Sequence, residues 1–175
     1  MIINIAEIIS TAFISKTYNA HLDSETFVLR GTRYVFENKD PIKLKISNIG
    51  EQEVSLEADI HVVLDIPCDR CLEAVHVPFD LEVTRKLDFK ASPIDRINNL
   101  DETSYIDGSN LDVDLFVFNE ILLGFPMKVL CRFDCRGICY RCGVSLNGGE
   151  CQCDKDSTDP RMSAIQDIFN NFKEV

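Results

Sequence analysis

The sequence lacks an excess of basic residues and has no long apolar run. Its 175 residues include 18 Lys and Arg against 29 Asp and Glu, which gives a formal net charge of −11. A surface of this charge repels phosphate, so the chain cannot coat nucleic acid through its global charge alone. No apolar run reaches the roughly 18 residues that a membrane-spanning helix needs, so no such helix is expected.

Known catalytic motifs are also missing. The sequence contains no His-Glu-x-x-His motif of zinc proteases, no glycine-rich phosphate loop and no nucleophile elbow. Residues 1–10 have no basic region and contain Glu7, so they do not resemble a secretory signal peptide. We therefore expect a cytoplasmic protein that is not an enzyme and has no small-molecule substrate.

The first half of the chain has the alternating pattern of half-buried β-strands. Apolar residues occupy every second position over 54–66, and again over 75–89 with Arg85 as the polar exception. The short connection between these runs predicts an antiparallel hairpin. Pro78 indicates an edge strand or a bulge. Further strands are predicted at 27–29, 34–36 and 42–46, the last ending in a turn at 48–50.

Two helices are predicted after these strands. A loop rich in Ser, Asn, Asp and Pro precedes the first helix, which Asp114 is expected to cap and Gly124 to end. Its expected apolar stripe is Leu115, Phe118, Leu122 and Phe125. A closing helix is predicted to begin at Asp159 and Pro160 and to pack on the sheet, or else to bind a partner. Its expected apolar face is Met162, Ile165, Phe169 and Phe172.

Eight cysteines are the strongest chemical signal in the sequence. They are Cys68, Cys71, Cys131, Cys135, Cys139, Cys142, Cys151 and Cys153. In a reducing compartment, this number favours metal binding over disulfides. The run Cys139-x-x-Cys142-Gly143 is typical of a metal knuckle. Gly148 and Gly149 let the chain turn back, so that the last two cysteines complete a tetrahedral zinc site.

The other four cysteines allow more than one grouping. Cys68 and Cys71 lie in the predicted hairpin connection, whereas Cys131 and Cys135 follow the first predicted helix. These four can form a second site that joins distant segments, or Cys135 can join the Cys139 knuckle. One or two structural zinc ions are the favoured interpretation. An iron–sulfur cluster, redox-active dithiols and a disulfide framework are the alternatives.

Two charged stretches are candidate binding surfaces. Basic residues among the cysteines either contact RNA or balance the charge of the metal sites. They are Lys128, Arg132, Arg136 and Arg141. Residues 100–121 carry six acidic residues and no basic one, which indicates either a solvated loop or a site for a basic protein. The candidate protein-binding residues there are Asp101, Glu102, Asp107 and Asp112.

The order of several motifs resembles the bacterial YceD family. These motifs are Ile66-Pro67-Cys68-Asp69-Arg70-Cys71-Leu72, Asp112-Val113-Asp114-Leu115, the run 120–126, Cys131 with the run 135–147, Cys151-Gln152-Cys153 and Asp159-Pro160-Arg161. The resemblance covers about residues 40–172, and the cysteines match the family positions one by one. The family is linked to accumulation of 23S ribosomal RNA, and its genes commonly neighbour that of a large-subunit ribosomal protein.

The resemblance implies a role in large-subunit assembly, with ribosomal RNA or a large-subunit ribosomal protein as partner, and it implies no catalytic residue. The residues themselves predict an α+β fold. An antiparallel β domain with an acidic loop and helix occupies 1–126, and a zinc-ribbon-like, cysteine-rich segment with a closing helix occupies 127–175. We expect a non-enzymatic factor for 23S ribosomal RNA accumulation. The alternatives are an acidic module that holds a basic ribosomal protein and a metal- or redox-sensing protein.

Overall fold

The computed structural model describes residues 1–50, 52–89 and 104–153, together with Met162, Ile165 and Ile168. Most of this part of the chain is antiparallel β-sheet, with one helix directly before the cysteine-rich segment. The predicted combination of an antiparallel sheet, a helix and C-terminal cysteine clusters is confirmed. The zinc-ribbon-like form of the last segment and the boundary at residue 126 stay predictions. Within the described ranges, no helix is long and apolar enough to cross a membrane.

The strands form two sheets. In chain order, the elements are β1 (Ile2–Asn4), α1 (Ala6–Ser10), β2 (Ser15–Ala20), β3 (Thr26–Leu29), β4 (Thr32–Lys39), β5 (Ile42–Gly50), β6 (Glu53–Pro67), β7 (Ala74–Asp88), β8 (Ile106–Asp107), β9 (Asn110–Asp112) and α2 (Val113–Gly124). The large sheet has the order β2-β5-β6-β4-β3, with β7 also paired to β6. The small sheet has the order β1-β9-β8. Strand β5 continues through the turn predicted at 48–50.

The predicted hairpin of β6 and β7 is the longest pairing in the large sheet. All of β6 is paired antiparallel with β7, from Glu53 opposite Asp88 to Pro67 opposite Ala74. The other edge of β6 is shared between β5 and β4. Among the described strands, β7 pairs with β6 alone, so Pro78 lies on an edge strand as predicted.

The inward face of this hairpin carries α2. Alternate residues of β6 from 54 to 66 are buried, as the period of two predicts. Arg85, the polar exception on β7, donates two hydrogen bonds of 2.8 and 2.9 Å to the Glu120 carboxylate on α2. The Glu120 side chain is only 8% exposed, and a buried carboxylate needs such a counter-charge. This ion pair therefore positions the helix on the sheet.

The apolar stripe predicted for α2 is wrong in two of its four members. Leu115 and Leu122 are 43% and 49% exposed, whereas Phe118 and Phe125 pack on the buried ring of Phe27. The buried residues of the helix are Val113, Phe116, Val117, Glu120 and Ile121. Because nearly every side of α2 is apolar, periodicity alone does not select the face that is buried.

The cap predicted for α2 is also displaced. Asp112, and not Asp114, is the N-cap residue: its carboxylate accepts hydrogen bonds from the backbone N–H groups of Asp114 at 3.0 Å and Leu115 at 3.2 Å. These N–H groups lack partners within the helix, which is why an acidic side chain here stabilises it. The helix ends at Gly124, as predicted.

The predicted closing helix lies largely outside the described residues. This holds for Asp159 and Pro160 at its start and for Phe169 and Phe172 on its apolar face. Met162 and Ile165 are described, and half or more of each residue is exposed to solvent.

Candidate metal centres

Two groups of four cysteines are assembled, each with its four Sγ atoms within 4.8 Å of one another. The first tetrad is Cys68, Cys71, Cys131 and Cys135. The second tetrad is Cys139, Cys142, Cys151 and Cys153. The structure thereby selects one grouping among those left open by the sequence, because Cys135 lies with the hairpin cysteines and not with the Cys139 knuckle.

The sulfur separations in the first tetrad match a tetrahedral metal site. The Sγ atoms of Cys71 and Cys131 are 3.5 Å apart, and those of Cys68 and Cys135 are 3.8 Å apart. Zinc–sulfur bonds of about 2.3 Å place the corners of a tetrahedron about 3.8 Å apart. A disulfide needs about 2.05 Å, and the eight cysteines are free thiols. Four sulfur donors at this spacing fit zinc.

A knuckle turn places the hairpin cysteines. The Leu72 N–H donates to the Cys68 carbonyl at 2.9 Å, and the Cys68 N–H donates to the Glu73 carbonyl at 2.8 Å. Leu72 has a φ of 62°, in the left-handed region that L-residues rarely adopt. The turn between β6 and β7 therefore closes the hairpin and presents both thiols to one cluster.

The second tetrad is built on the same turn. The Gly143 N–H donates to the Cys139 carbonyl at 2.9 Å, and Gly143 has a φ of 72°. Gly143 and Leu72 therefore occupy equivalent positions, four residues after the first cysteine of each pair. Glycine adopts this conformation without a Cβ penalty, whereas leucine does so at a cost of about 1 kcal/mol.

The two residues between the hairpin cysteines bind the C-terminal segment directly. The Asp69 N–H donates to the Val129 carbonyl at 2.9 Å, and the Val129 N–H donates to the Asp69 carboxylate at 2.8 Å. The Arg70 guanidinium donates to the Cys135 carbonyl at 2.7 Å. A Cβ added at Gly137 would lie 2.9 Å from the Arg70 carbonyl oxygen, so only glycine permits this approach. The hairpin connection thus positions the segment that supplies the other two ligands.

Asn147, which lies between Cys142 and Cys151 in the chain, contacts the first tetrad. Its Nδ2 atom lies 3.4 Å from Cys135 Sγ and 3.8 Å from Cys131 Sγ, and its Oδ1 atom accepts the Arg136 N–H at 2.8 Å. Such outer partners orient the ligands and stabilise negative sulfur. The sequence patterns did not identify this role, and the only signal was that Asn147 ends one of the family motifs.

The thiol pKa values differ widely within each tetrad. Burial raises the pKa of Cys68, but backbone N–H groups, first that of Arg70, outweigh burial and lower the pKa to about 6. Burial and the neighbouring thiols raise the pKa of Cys131 to about 12. In the second tetrad, backbone N–H groups of the knuckle lower the pKa of Cys139 to about 6, whereas a neighbouring thiol and burial raise the pKa of Cys153 to about 12. A divalent cation bound in a tetrad would supply positive charge that stabilises thiolate ligands.

The four residues predicted to contact RNA are all exposed: Lys128, Arg132, Arg136 and Arg141. Arg132 donates to a backbone carbonyl at 3.1 Å, and the Arg141 guanidinium lies 5.8 Å from the centroid of the Tyr140 ring. Within the part of the chain that the structure describes, the side chains of Lys128 and Arg136 have no ion-pair partner. The segment that carries the tetrads therefore presents basic groups to solvent.

The acidic residues predicted to bind a protein do not form one described surface. Asp101 and Glu102 lie outside the described residues. Asp107 is exposed on β8, whereas the Asp112 carboxylate caps α2. The two described members therefore have different roles, one in solvent and one in local structure.

A known protein family matches the region of the chain that carries the two tetrads. A family model described as "Large ribosomal RNA subunit accumulation protein YceD" matches residues 56–169. The chain belongs to the YceD family. The match begins within β6 and includes both tetrads, so the family signature coincides with the hairpin and the cysteine-rich segment. The description of the YceD family concerns accumulation of the large ribosomal RNA subunit.

The chain matches two relatives that are described as uncharacterized proteins. The chain is 26% identical over 136 residues to YlbN of Bacillus subtilis (strain 168), and the matched residues cover 77% of each protein. It is 27% identical over 102 residues to Rv2926c of Mycobacterium tuberculosis (strain ATCC 25618 / H37Rv), covering 58% of the chain and 49% of that relative. The chain thus spans about half the length of the mycobacterial relatives it matches. No solved structure matches it.

Proposed function

We propose that this chain is a non-enzymatic factor that supports accumulation of 23S ribosomal RNA and assembly of the large ribosomal subunit. Zinc in both tetrads holds a basic segment that contacts ribosomal RNA. The family description supports the link to ribosomal RNA. The observation that carries the contact is a set of exposed basic side chains on the segment that bears the tetrads: Lys128, Arg132, Arg136 and Arg141.

The ligand chemistry supports a structural role for zinc. Four thiolates fill the tetrahedral shell and leave no position for water or substrate, which is typical of structural sites. In the first tetrad, a bound zinc ion would join the β6–β7 connection to the segment after α2. This arrangement supports a factor that holds a surface in place and does not catalyse a reaction.

The charge distribution supports a local contact with RNA. A net charge of −11 keeps most of the surface from binding phosphate, so basic residues must act where they are concentrated. Among the described residues, Lys128 and Arg136 have no ion-pair partner. Phosphate can therefore approach these two cations without breaking an ion pair to any described residue.

A salt series with the zinc-loaded full chain tests this contact. We expect log K for a 23S ribosomal RNA fragment to fall with log salt at a slope of about −2 to −3.6, as three or four phosphate contacts require. The triple change Arg132→Glu, Arg136→Glu and Arg141→Glu is expected to weaken binding by at least about tenfold and to flatten the slope.

The matched control reverses three exposed cations elsewhere. Arg30→Glu, Arg33→Glu and Lys43→Glu impose the same change of net charge on the β domain, and we expect a much smaller loss of affinity. If the control weakens binding as much as the first triple change, or if the first triple change has no effect, the assigned contact is wrong.

Capture from cells distinguishes RNA from protein as the direct partner. The tagged full chain is recovered at moderate salt, with and without nuclease, and ribosomal RNA and proteins are quantified. We expect precursor large-subunit RNA, and we expect nuclease to remove the associated proteins. A large-subunit ribosomal protein that stays bound after nuclease would argue for a protein contact instead.

A further inference from the structure

We propose that the basic segment binds unpaired nucleotides, whose bases stack on Phe133 and Tyr140. This inference rests on the proposed function and specifies which form of RNA is recognised. The Phe133 residue is 96% exposed and Tyr140 is 79% exposed, although each carries a large ring. Neither residue was identified from the sequence patterns as a binding residue.

The exposure of these two rings contrasts with the aromatic residues of the β domain. Phe27, Tyr34, Phe79 and Phe125 contact one another in and around the core, with ring centroids 5.4 to 6.2 Å apart. Phe13 is 83% exposed, but its ring lies close to the backbone at Gly50. Phe13 therefore provides a matched exposed aromatic residue outside the cysteine-rich segment.

Each exposed ring is next to an arginine. Arg132 precedes Phe133, and Arg141 follows Tyr140 with its guanidinium 5.8 Å from the ring centroid. Proteins that bind single-stranded nucleic acid combine aromatic faces for the bases with cations for the phosphates. In duplex RNA, the bases are already stacked on one another and their faces are covered. The combination of ring and cation therefore favours unpaired nucleotides.

The backbone that carries each ring also belongs to a different tetrad. Phe133 lies between Cys131 and Cys135 of the first tetrad, where the Cys135 N–H donates to the Arg132 carbonyl at 3.1 Å. Tyr140 lies inside the knuckle that begins at Cys139. Metal binding would fix both turns before RNA arrives, so less conformational freedom would be lost on binding. The tetrads thereby act as supports for two stacking positions.

Binding to two labelled RNAs tests the inference. The probes are an unstructured 12-nucleotide single strand and a 12-base-pair duplex, and anisotropy is measured with the zinc-loaded full chain. We expect affinity for the single strand to be at least about tenfold higher. Phe133→Leu and Tyr140→Leu should each weaken single-strand binding by about tenfold, with little change for the duplex. Phe13→Leu is the control and should bind as the unchanged chain does.

A spectroscopic measurement reports stacking directly. The chain contains no tryptophan, so Phe133→Trp introduces a single indole reporter. We expect this variant to keep its affinity for the single strand and to lose much of its indole fluorescence when RNA binds. Two zinc ions per chain, measured for every variant, would show that both tetrads are intact.

The outcomes separate this inference from the proposed function. If the leucine variants bind the single strand normally while the arginine reversals weaken it, stacking is wrong and the RNA contact stands. Equal affinity for duplex and single strand, or unchanged indole fluorescence at saturation, also overturns stacking. If neither RNA binds at low salt, both the inference and the proposed function fail.

Discussion

The two tetrads have the same ligands and the same knuckle turn, but their surroundings differ. In the first tetrad, Cys68, Cys71 and Cys135 are buried, whereas Cys139 is the only buried ligand of the second. Ligand pairs in the first tetrad lie 60 and 67 residues apart in the chain, whereas the second tetrad is contained in residues 139–153. The same chemistry thus connects distant segments in one case and organises a single loop in the other.

Because their surroundings differ, the two tetrads are expected to stabilise different parts of the chain. The first tetrad forms a small buried cluster with Val75 and Leu130 against it, next to the end of the long hairpin. Its loss would release the segment after α2 from the sheet. The loss of the second tetrad would free a loop whose ligands are mostly solvent-accessible. We therefore expect global stability to depend on the first tetrad and local order on the second.

Among the variants considered, Cys68→Ser is expected to lower the thermal stability of the chain the most. A cross-link that closes a loop of about 60 residues contributes about 4 kcal/mol in the chain-entropy model. Its loss should lower the Tm by roughly 8–16 °C for a domain of this size. Calorimetry and zinc content would be measured together. The matched variant Cys151→Ser should also lose one zinc ion but leave the Tm of the sheet nearly unchanged, and an equal loss of Tm would remove the distinction between the tetrads.

The second-largest effect concerns the sheet and leaves both tetrads unchanged. Arg85→Met leaves the buried Glu120 carboxylate without its paired cation. We expect a loss of about 2 kcal/mol in the free energy of unfolding, below the usual range for fully buried pairs because the Arg85 side chain is 42% exposed.

Urea denaturation with a zinc assay measures both consequences of Arg85→Met. The zinc content should remain at two ions per chain. The double change Arg85→Met with Glu120→Met should recover most of the stability, because it removes the uncompensated charge. A loss of zinc in the single variant would show that the core and the metal sites are not separable.

The third prediction concerns the rate at which zinc leaves each tetrad. With a chromophoric chelator in excess, we expect zinc to leave in two phases, the faster one from the second tetrad because Cys142 is exposed. A tenfold difference in rate corresponds to about 1.4 kcal/mol in barrier height. Cys142→Ser should abolish the fast phase only. Release in one phase, or loss of the slow phase in that variant, would contradict the assignment.

The smallest predicted change in stability comes from exchanging residues between the two knuckle turns. Leu72 is 67% exposed and has a left-handed backbone, so Leu72→Gly should relieve strain with little loss of packing. We expect a gain of roughly 0.5–1 kcal/mol in stability by thermal unfolding. The reciprocal change Gly143→Leu should strain the second turn and accelerate its zinc release. If Leu72→Gly lowers the Tm, the leucine contributes packing that outweighs the strain.

Sequence patterns predicted the strands and helix features that are determined by residues close together in the chain. The period of two in β6 and β7 identified the hairpin, and Pro78 identified an edge strand, because alternation and a missing N–H act within a strand. For α2, the pattern identified the helix and its end at Gly124, but not the buried face. That face depends on which side chains meet the sheet, as the pairing of Arg85 with Glu120 illustrates.

The amino-acid sequence alone was enough to identify the eight candidate cysteine ligands, the two Cys-x-x-Cys pairs and the concentration of basic residues among them. These are properties of composition and short spacing. The folded structure was needed to show that Cys131 and Cys135 complete the hairpin pair, that Asn147 contacts the first tetrad, and which rings are exposed. The cysteine and asparagine contacts join residues that are 12 to 67 positions apart in the chain. Strand pairing and packing, and not local spacing, determine which of those residues meet.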